Sequence, residues 1–380
     1  MKKMTVQITQ GLKPEAYYDQ SVYDQELQLI FARTWQLVGL ASELAKHNDF
    51  LTVQVAGKDI VVQNFDGKIK AFLNVCAHRH ARLHEKSCGN NPLRCPYHGW
   101  AYNSEGVPVG IPGNKPFFNF DRQEKASLAL TSVDVAVRGP LVFVRVEKGG
   151  PSLDEWLGTC GPHLDEMAPL FADLFDRDEA VWHANWKVAV ESTLKGYHIP
   201  YVHKTSFSPM LEGGDEPAEQ ADLVLDEDSR LIELGHHSYG IAPLSDDGRA
   251  SIGRYVSRLG LQKSTHYKGY DHFFLFPNMT VLISGGTVVG AQIYEPMGPE
   301  ATHLRFWMLL PPSTKPAQRA SAAGHAVEQK LTEFNDLVLE EDRIISESVQ
   351  KGKHQTHRPA VLGTNERRIA LFHNEWRKVI

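Results

Sequence analysis

Between Cys76 and Trp100 the chain reads C-A-H-R-H at one end and C-P-Y-H-G-W at the other. Cys76 and His78 stand one residue apart. After sixteen intervening residues come Cys95 and His98, two residues apart. Two thiolates and two imidazoles on a pair of loops can hold one metal ion or one small cluster, so any fold must bring the loops together. Cys2His2 is a structural zinc set. Zinc fingers, however, usually group cysteine with cysteine and histidine with histidine, whereas here each loop supplies one of each. That arrangement suits a [2Fe–2S] cluster with two cysteines on one iron and two histidines on the other, which raises the potential above that of an all-cysteine cluster. Pro96 stiffens the second loop, Gly99 permits an unusual backbone angle, and Trp100 can shield the sulfurs.

The pattern C-x-H…C-x2-H resembles the Rieske motif. Rieske proteins of respiratory complexes resemble it too, but add a disulfide-forming cysteine to each loop. Tyr97 fills the second of those positions here, and Cys88 has no evident partner. The loops therefore resemble the lower-potential, oxygenase-associated type, and Cys88 and Cys160 read as plain thiols, buried or half-exposed.

With 380 residues the chain has room for two or three domains. Its net charge of −6, without a Lys/Arg run, argues against nucleic acid or an anionic membrane as partner. No apolar run is long enough to span a bilayer, and the first ten residues lack the apolar core of a secretory signal. Few cysteines, half of them in the metal motif, fit a reducing compartment, so the expected location is cytoplasmic.

Residues 14–35 carry an amphipathic helical pattern on Tyr23, Leu27, Ile30, Phe31 and Trp35. From 38 to 75 the pattern becomes short strands, with Asp66-Gly67 as a hairpin turn. Strands resume over 131–147, and Gly149-Gly150-Pro151 reads as a linker. Residues 152–180 read as helical, and 212–228 as an acidic solvated loop or a lid. Residues 272–311 read as an antiparallel sheet, and 317–351 as a long helix ending near Gly352. No G-x-G-x-x-G follows a strand, so flavin and nicotinamide are expected on another protein.

A cluster of this type has no open position for a substrate, so its electrons need a destination. The candidate is 185–203, N-W-K-V-A-V-E-S-T-L-K-G-Y-H-I-P-Y-V-H. His198 and His203 are five apart, and Pro200 between them is expected to end or bend a helix so that both imidazoles converge. The apolar stripe of the last long helix (Leu331, Phe334, Val338, Ile345, Val349) predicts another inward position at Asp342. A buried carboxylate needs a partner. A buried arginine is one possibility and a metal is the other. Two histidines and one carboxylate on one face leave three metal positions open, as in non-haem Fe(II) oxygenases.

From F-A-R-T-W-Q-L-V-G through both motifs to E-E-D-R-I-I-S-E-S-V-Q-K-G, the chain resembles the catalytic α subunit of the Rieske non-haem iron oxygenases, the ring-hydroxylating oxygenase family. The resemblance implies an α+β architecture. Residues 1–39 would be a helical segment packed on the catalytic domain, and 40–150 an all-β Rieske domain. Residues 151–380 would be a catalytic domain whose antiparallel sheet grips a long C-terminal helix. It implies Cys76, His78, Cys95 and His98 as cluster ligands, His198, His203 and Asp342 as iron ligands, and a head-to-tail homotrimer. One position departs. The family pattern is acid-x3-acid-x2-His-x4-His, in which the second acid links an iron-ligand histidine to a cluster histidine across the subunit boundary. Glu191 fills the first acidic place, but Lys195 fills the second. On a helix the two would be an ordinary i,i+4 pair.

The expected activity is that of a terminal oxygenase. It would take electrons from an external reductase or ferredoxin and use O2 to mono- or dioxygenate a small organic substrate. Tyr239, Tyr255, Tyr267, Tyr270, Phe273, Phe274 and Phe276 lie in the region expected to build the pocket, which favours an aromatic substrate. Oxidative N- or O-demethylation is the alternative within the class. Outside it stand a Rieske electron carrier, which would not need the His198/His203/Asp342 set, and a colourless zinc-stabilised binding module.

Overall fold

The computed structural model describes residues 9–213 and 231–380. The acidic stretch 212–228 lies outside the described residues, apart from Glu212 and Gly213. The chain divides into two compact units, one from Glu26 to Leu157, the other joining the segment before Glu26 to Gly158–Ile380.

The Glu26–Leu157 unit is built on antiparallel strands: β1 (Gln36–Leu40), β2 (Asp49–Val55), β3 (Lys58–Phe65), β4 (Lys68–Leu73), β5 (Cys88–Asn90), β6 (Ala101–Tyr102), β7 (Pro108–Gly110), β8 (Ser132–Arg138) and β9 (Leu141–Arg145). Seven of them form one sheet in the order β1-β9-β8-β4-β3-β2-β5, while β6 pairs with β7. The β3–β4 hairpin turns at Asp66-Gly67, both with positive φ (52° and 85°), the backbone an Asp-Gly turn is suited to. Strand periodicity then feeds two cores. Ile60 and Val62 pack with Val38, Val53 and Val144 on one face. Val61, between them, points to the other face and joins Phe50, Phe72, Cys76, Cys95, Trp100 and Tyr102. The cluster loops are thus seated on a packed sheet face.

The second unit centres on a seven-stranded antiparallel sheet: β10 (Asp173–Trp182), β11 (Leu231–Leu234), β12 (His237–Ala242), β13 (Tyr270–Leu275), β14 (Met279–Ser284), β15 (Val288–Gly298) and β16 (Ala301–Leu310), in the order β10-β16-β15-β14-β13-β12-β11. The helices that bear on the site are α1 (Trp186–Thr193), α2 (Ile199–Val202), α3 (Asp246–Leu259), α4 (Ala322–Lys353) and α5 (Arg367–Arg377). The amino half of α4 packs Val327 and Leu331 against Val288, Phe306 and Met308 of the sheet. Each such fully buried apolar side chain stabilises the fold by about 1.5–3 kcal/mol. The architecture is α+β, with the sheet gripping the long helix.

The helical reading of 152–180 runs too far. Helix ends at Met167 with a short turn to Leu170, and 173–182 is edge strand β10. Half-exposed and paired on one side with β16, it carries its apolar residues in two groups, Leu174-Phe175 and Ala180-Val181-Trp182, so no alternation registers. The long helix begins at Ala322, where Ser321 caps the backbone N–H of Gly324, and runs past Gly352 to Lys353.

Candidate metal centres

Cys76 and Cys95 are both buried in one apolar cluster, and no cysteine of the chain is in a disulfide. Each loop is a tight turn closed by backbone hydrogen bonds, His80 N–H to Cys76 C=O and Gly99 N–H to Cys95 C=O, both 3.0 Å. Gly99 takes a φ of 75°, a conformation that a side chain disfavours. The His78 and His98 rings lie 4.6 Å apart, and His78 stacks on Trp100 at 4.9 Å. Tyr102 brings its hydroxyl to 3.0 Å from Cys76 Sγ and accepts the Ala77 N–H at 3.1 Å. Burial, assisted by neighbouring Cys76, pushes the Cys95 thiol above its ordinary value. A buried Cys95 thiol that resists ionisation suits an iron centre, whose charge stabilises thiolates. His78 Nδ1 is buried and has no hydrogen-bond partner among the described residues, as a ring nitrogen reserved for a metal would be. The four donors fit a [2Fe–2S] cluster.

Cys88 and Cys160 stand apart from this set. Cys88 is half-buried on β5, and burial pushes the Cys160 thiol up to about 12.

The second donor set converges equally well. His198, His203 and Asp342 bring one ligand atom each within 4.8 Å of one another. Asp342 Oδ1 lies 3.2 Å from His198 Nε2 and 3.3 Å from His203 Nε2, and the two Nε2 atoms are 3.2 Å apart. Despite these distances Oδ1 has no directed hydrogen bond. Three donor atoms this close together, on two imidazoles and a carboxylate, are a set that one metal ion can share. Burial pushes the Asp342 carboxyl up, but the two imidazoles beside it outweigh burial and hold it below its usual range. His203 is raised in turn: burial lowers it, and Asp342 and Glu341 raise it more. The set fits a divalent iron with open positions.

Pro200 acts differently from the sequence expectation. Helix α1 ends at Thr193, well before the proline, and Pro200 lies in the first turn of α2, where its missing N–H is not needed. His198 and His203 are the residues that cap this single turn at its two ends. The stripe on α4 is also rephased. Asp342 is inward, but the buried positions after it are Ser346 and Gln350, while Phe334, Ile345 and Val349 are more than a third exposed. The helical repeat continues at four-residue steps through Ser346 to Gln350, and Gln350 is inward and polar because it binds backbone. Gln350 accepts from Asn185 N–H and donates to Tyr17 C=O and Glu300.

Glu191 and Lys195 are not the i,i+4 pair expected, because α1 stops between them. Glu191 accepts from the Tyr17 hydroxyl at 2.6 Å and lies 2.8 Å from His373 Nε2. Lys195 Nζ is 3.7 Å from Glu366 Oε1. His198 Nδ1 is buried without a hydrogen-bond partner among the described residues. Glu341, beside Asp342 in sequence, faces away from the metal position and lies 2.7 Å from His203 Nδ1.

A cavity of about 560 Å³ opens on His198, His203 and Asp342. Its wall is mostly apolar, with Phe207, Tyr255, Tyr270, Tyr294 and Phe334 among the lining residues. Of the aromatics expected to build the pocket, Tyr255 and Tyr270 line it. Tyr239, Tyr267 and Phe273 pack on one another and on His163 instead, and Phe274 and Phe276 pack on Phe372. Burial, with the nearby Asp342 charge, pushes the Tyr270 and Tyr294 phenols up, so both remain neutral hydroxyls.

The sequence matches the family "Ring hydroxylating alpha subunit (catalytic domain)" over residues 171–380 and "Rieske [2Fe-2S] domain" over residues 34–129. Choline monooxygenase of Spinacia oleracea is 29% identical over 353 residues, covering 89% of this chain and 71% of that protein. The chlorobenzene dioxygenase α subunit of a Cupriavidus strain is 29% identical over 317 residues, 75% of this chain and 68% of that one. The glycine betaine monooxygenase oxygenase subunit of Pseudomonas aeruginosa is 27% identical over 241 residues, 60% of this chain and 55% of that one. Among solved structures, the quaternary ammonium Rieske monooxygenase CntA with L-carnitine superposes with a TM-score of 0.76 at 20% identity, covering 98% of this chain and 96% of that one. Naphthalene 1,2-dioxygenase from Rhodococcus sp. gives 0.69 at 19% identity, covering 97% and 94%. With a Rieske domain followed by a catalytic domain that spans more than half its length, the chain belongs to the ring-hydroxylating oxygenase α-subunit family, O2-dependent oxidoreductases whose cofactors are a Rieske [2Fe–2S] cluster and a mononuclear non-haem iron.

Proposed function

We propose that this oxygenase monooxygenates a small quaternary ammonium compound, with an N-methyl carbon as its target. Electrons would come from a separate reductase or ferredoxin, to a cytoplasmic homotrimer. The observation that carries this reading is the cavity wall. Aromatic side chains from five different elements or loops, Phe207, Tyr255, Tyr270, Tyr294 and Phe334, line the space in front of His198, His203 and Asp342. Aromatic faces attract a cation that has no N–H to donate. The likeness to choline and glycine betaine monooxygenases supports the same substrate class. Lys195 and Arg368 also line the cavity. With Lys330 they make three basic lining residues against one further acid, Glu333, a balance that favours, among ammonium compounds, those that carry their own carboxylate.

In this reading Cys76 and Cys95 hold one iron of the cluster, His78 and His98 the other, and His198, His203 and Asp342 hold the mononuclear iron. When bound, the cluster supplies electrons one at a time and the mononuclear iron activates O2. The chain's own residues orient and exclude. The aromatic wall fixes the ammonium group so that a methyl carbon faces the ligand triad. The apolar remainder keeps water out, and the neutral Tyr270 and Tyr294 hydroxyls add no charge to the wall. In the net reaction one oxygen atom enters a C–H bond and the other leaves as water, with two electrons and two protons consumed. The resulting N–CH2OH group then loses its hydroxyl proton and breaks its C–N bond, the electron pair staying on nitrogen, which releases formaldehyde, a proton and the tertiary amine.

Oxygenation of an aromatic ring is the second reading, favoured by the apolar share of the wall and by the likeness to the chlorobenzene dioxygenase α subunit. O2 uptake with a surrogate reductase separates the two. Glycine betaine, carnitine or choline should consume O2 with stoichiometric product, formaldehyde where a methyl is lost. Tight coupling with chlorobenzene or biphenyl and none with the ammonium compounds would overturn the first reading.

A further inference from the structure

We propose that Glu341, supported by Ser206, is a positioning residue that locks His203 in the one tautomer able to bind iron. The inference rests on the reading of His203 as an iron ligand. Glu341 Oε2 lies 2.7 Å from His203 Nδ1, and Ser206 Oγ donates to the same oxygen at 2.6 Å. An ionised carboxylate only accepts, so the ring proton sits on Nδ1 and the lone pair on Nε2. Nε2 is the nitrogen that faces Asp342 Oδ1 at 3.3 Å and His198 Nε2 at 3.2 Å. The His203 side chain is 2% exposed, so water does not compete for either nitrogen. Successive residues on a helix point about 100° apart. One step of α4 therefore delivers Asp342 to the metal side of the imidazole and Glu341 to its far side.

His198 has no such support, since its Nδ1 is buried without a hydrogen-bond partner among the described residues. The two imidazoles are held unequally, His203 at both nitrogens and His198 at one. A ligand imidazole whose outer N–H meets a carboxylate is a stronger base and a better aimed donor, and loss of that partner typically weakens metal binding about 10–100-fold.

The test follows release of Fe(II) from the purified, cluster-loaded enzyme to ferrozine. EPR of the nitric oxide adduct of the ferrous site reports ligand geometry independently of turnover. Glu341→Ala should release iron about 10–100 times faster than the parent and change the nitrosyl line shape. The visible spectrum of the cluster should stay unchanged. Glu341→Gln keeps an acceptor oxygen but loses the charge. It should restore the line shape while still releasing iron several-fold faster, and Ser206→Ala should fall between it and the parent. Should Glu341→Ala fail to fold, Glu341→Gln decides. Parental release rates and line shape in these variants, alongside loss of iron in His203→Ala, would overturn the role of Glu341 alone. Retention of iron in His203→Ala would overturn the ligand reading and this proposal with it.

Discussion

Replacing Tyr102 with phenylalanine removes one hydroxyl from the cluster loops and leaves the ring in its buried place beside Trp100. That hydroxyl accepts the Ala77 N–H at 3.1 Å, which directs its own proton to Cys76 Sγ, 3.0 Å away. A donor aimed at a cluster sulfur stabilises the electron-rich reduced state more than the oxidised one, so it raises the potential. A hydrogen bond to a charged acceptor contributes about 1.5–3 kcal/mol. With somewhat more than half of that differing between redox states, the loss is about 1–2 kcal/mol. One electron converts 1.4 kcal/mol to 59 mV, so Tyr102→Phe should lower the potential by roughly 40–90 mV. An EPR-monitored redox titration at fixed pH measures it. The pH must be fixed because imidazole ligands lose protons more readily on oxidation, so the potential itself falls as pH rises. An unchanged or raised potential in a variant with intact circular dichroism would refute the reasoning.

Three further outcomes are expected. His198→Ala or Asp342→Ala should remove about one iron per chain and abolish product formation while the cluster spectrum survives; full iron and turnover in Asp342→Ala would move the third ligand elsewhere. Lys195→Glu supplies an acceptor that an ammonium cannot offer to His198 Nδ1, so reoxidation of a pre-reduced cluster in a single turnover should accelerate; an unchanged rate means that electrons take another route. Glu191 governs acid stability: burial raises its carboxyl, but His373, Lys353 and Tyr17 outweigh burial and bring it down to about 2 from an ordinary 4.5. A depressed folded value stabilises above the unfolded one, so Glu191→Gln should cost roughly 3 kcal/mol at pH 7. The difference from the parent should shrink as pH falls from about 4.5 toward 2, as read from denaturation midpoints, and a pH-independent difference would contradict the assignment.

The parts of the site that sequence disclosed are those set by residue type at short range. Cys76, His78, Cys95 and His98 announce themselves by spacing, and Asp66-Gly67 by the backbone angles only such residues take cheaply. Asp342 was legible because a carboxylate on an inward helical position needs a partner. The rest depends on contacts far apart in the chain. Glu191 meets Tyr17 and His373 across 174 and 182 residues, so its role cannot be read from its own helix. Gln350 is buried for the backbone groups it binds and Ser346 is buried one turn before it, and a hydrophobic pattern passes over both in favour of the exposed Ile345 and Val349. Strand β10 escapes a sequence reading because its apolar residues, Leu174-Phe175 and Ala180-Val181-Trp182, sit side by side and do not alternate.

The single turn of α2 between His198 and His203 has a consequence for how this stretch tolerates change. The separation of the two imidazoles is set by counting residues around one turn, not by the side chains in between, of which Ile199 and Val202 are half-buried and Tyr201 is 60% exposed. Replacing those side chains leaves the count intact. Inserting or deleting one residue rotates everything beyond it by about 100° and shifts it about 1.5 Å along the axis, which carries one imidazole off the shared centre. In this segment chain length is constrained more tightly than composition, so a library that randomises 199, 201 and 202 at fixed length should yield many iron-loaded variants, and one that varies the length should yield none.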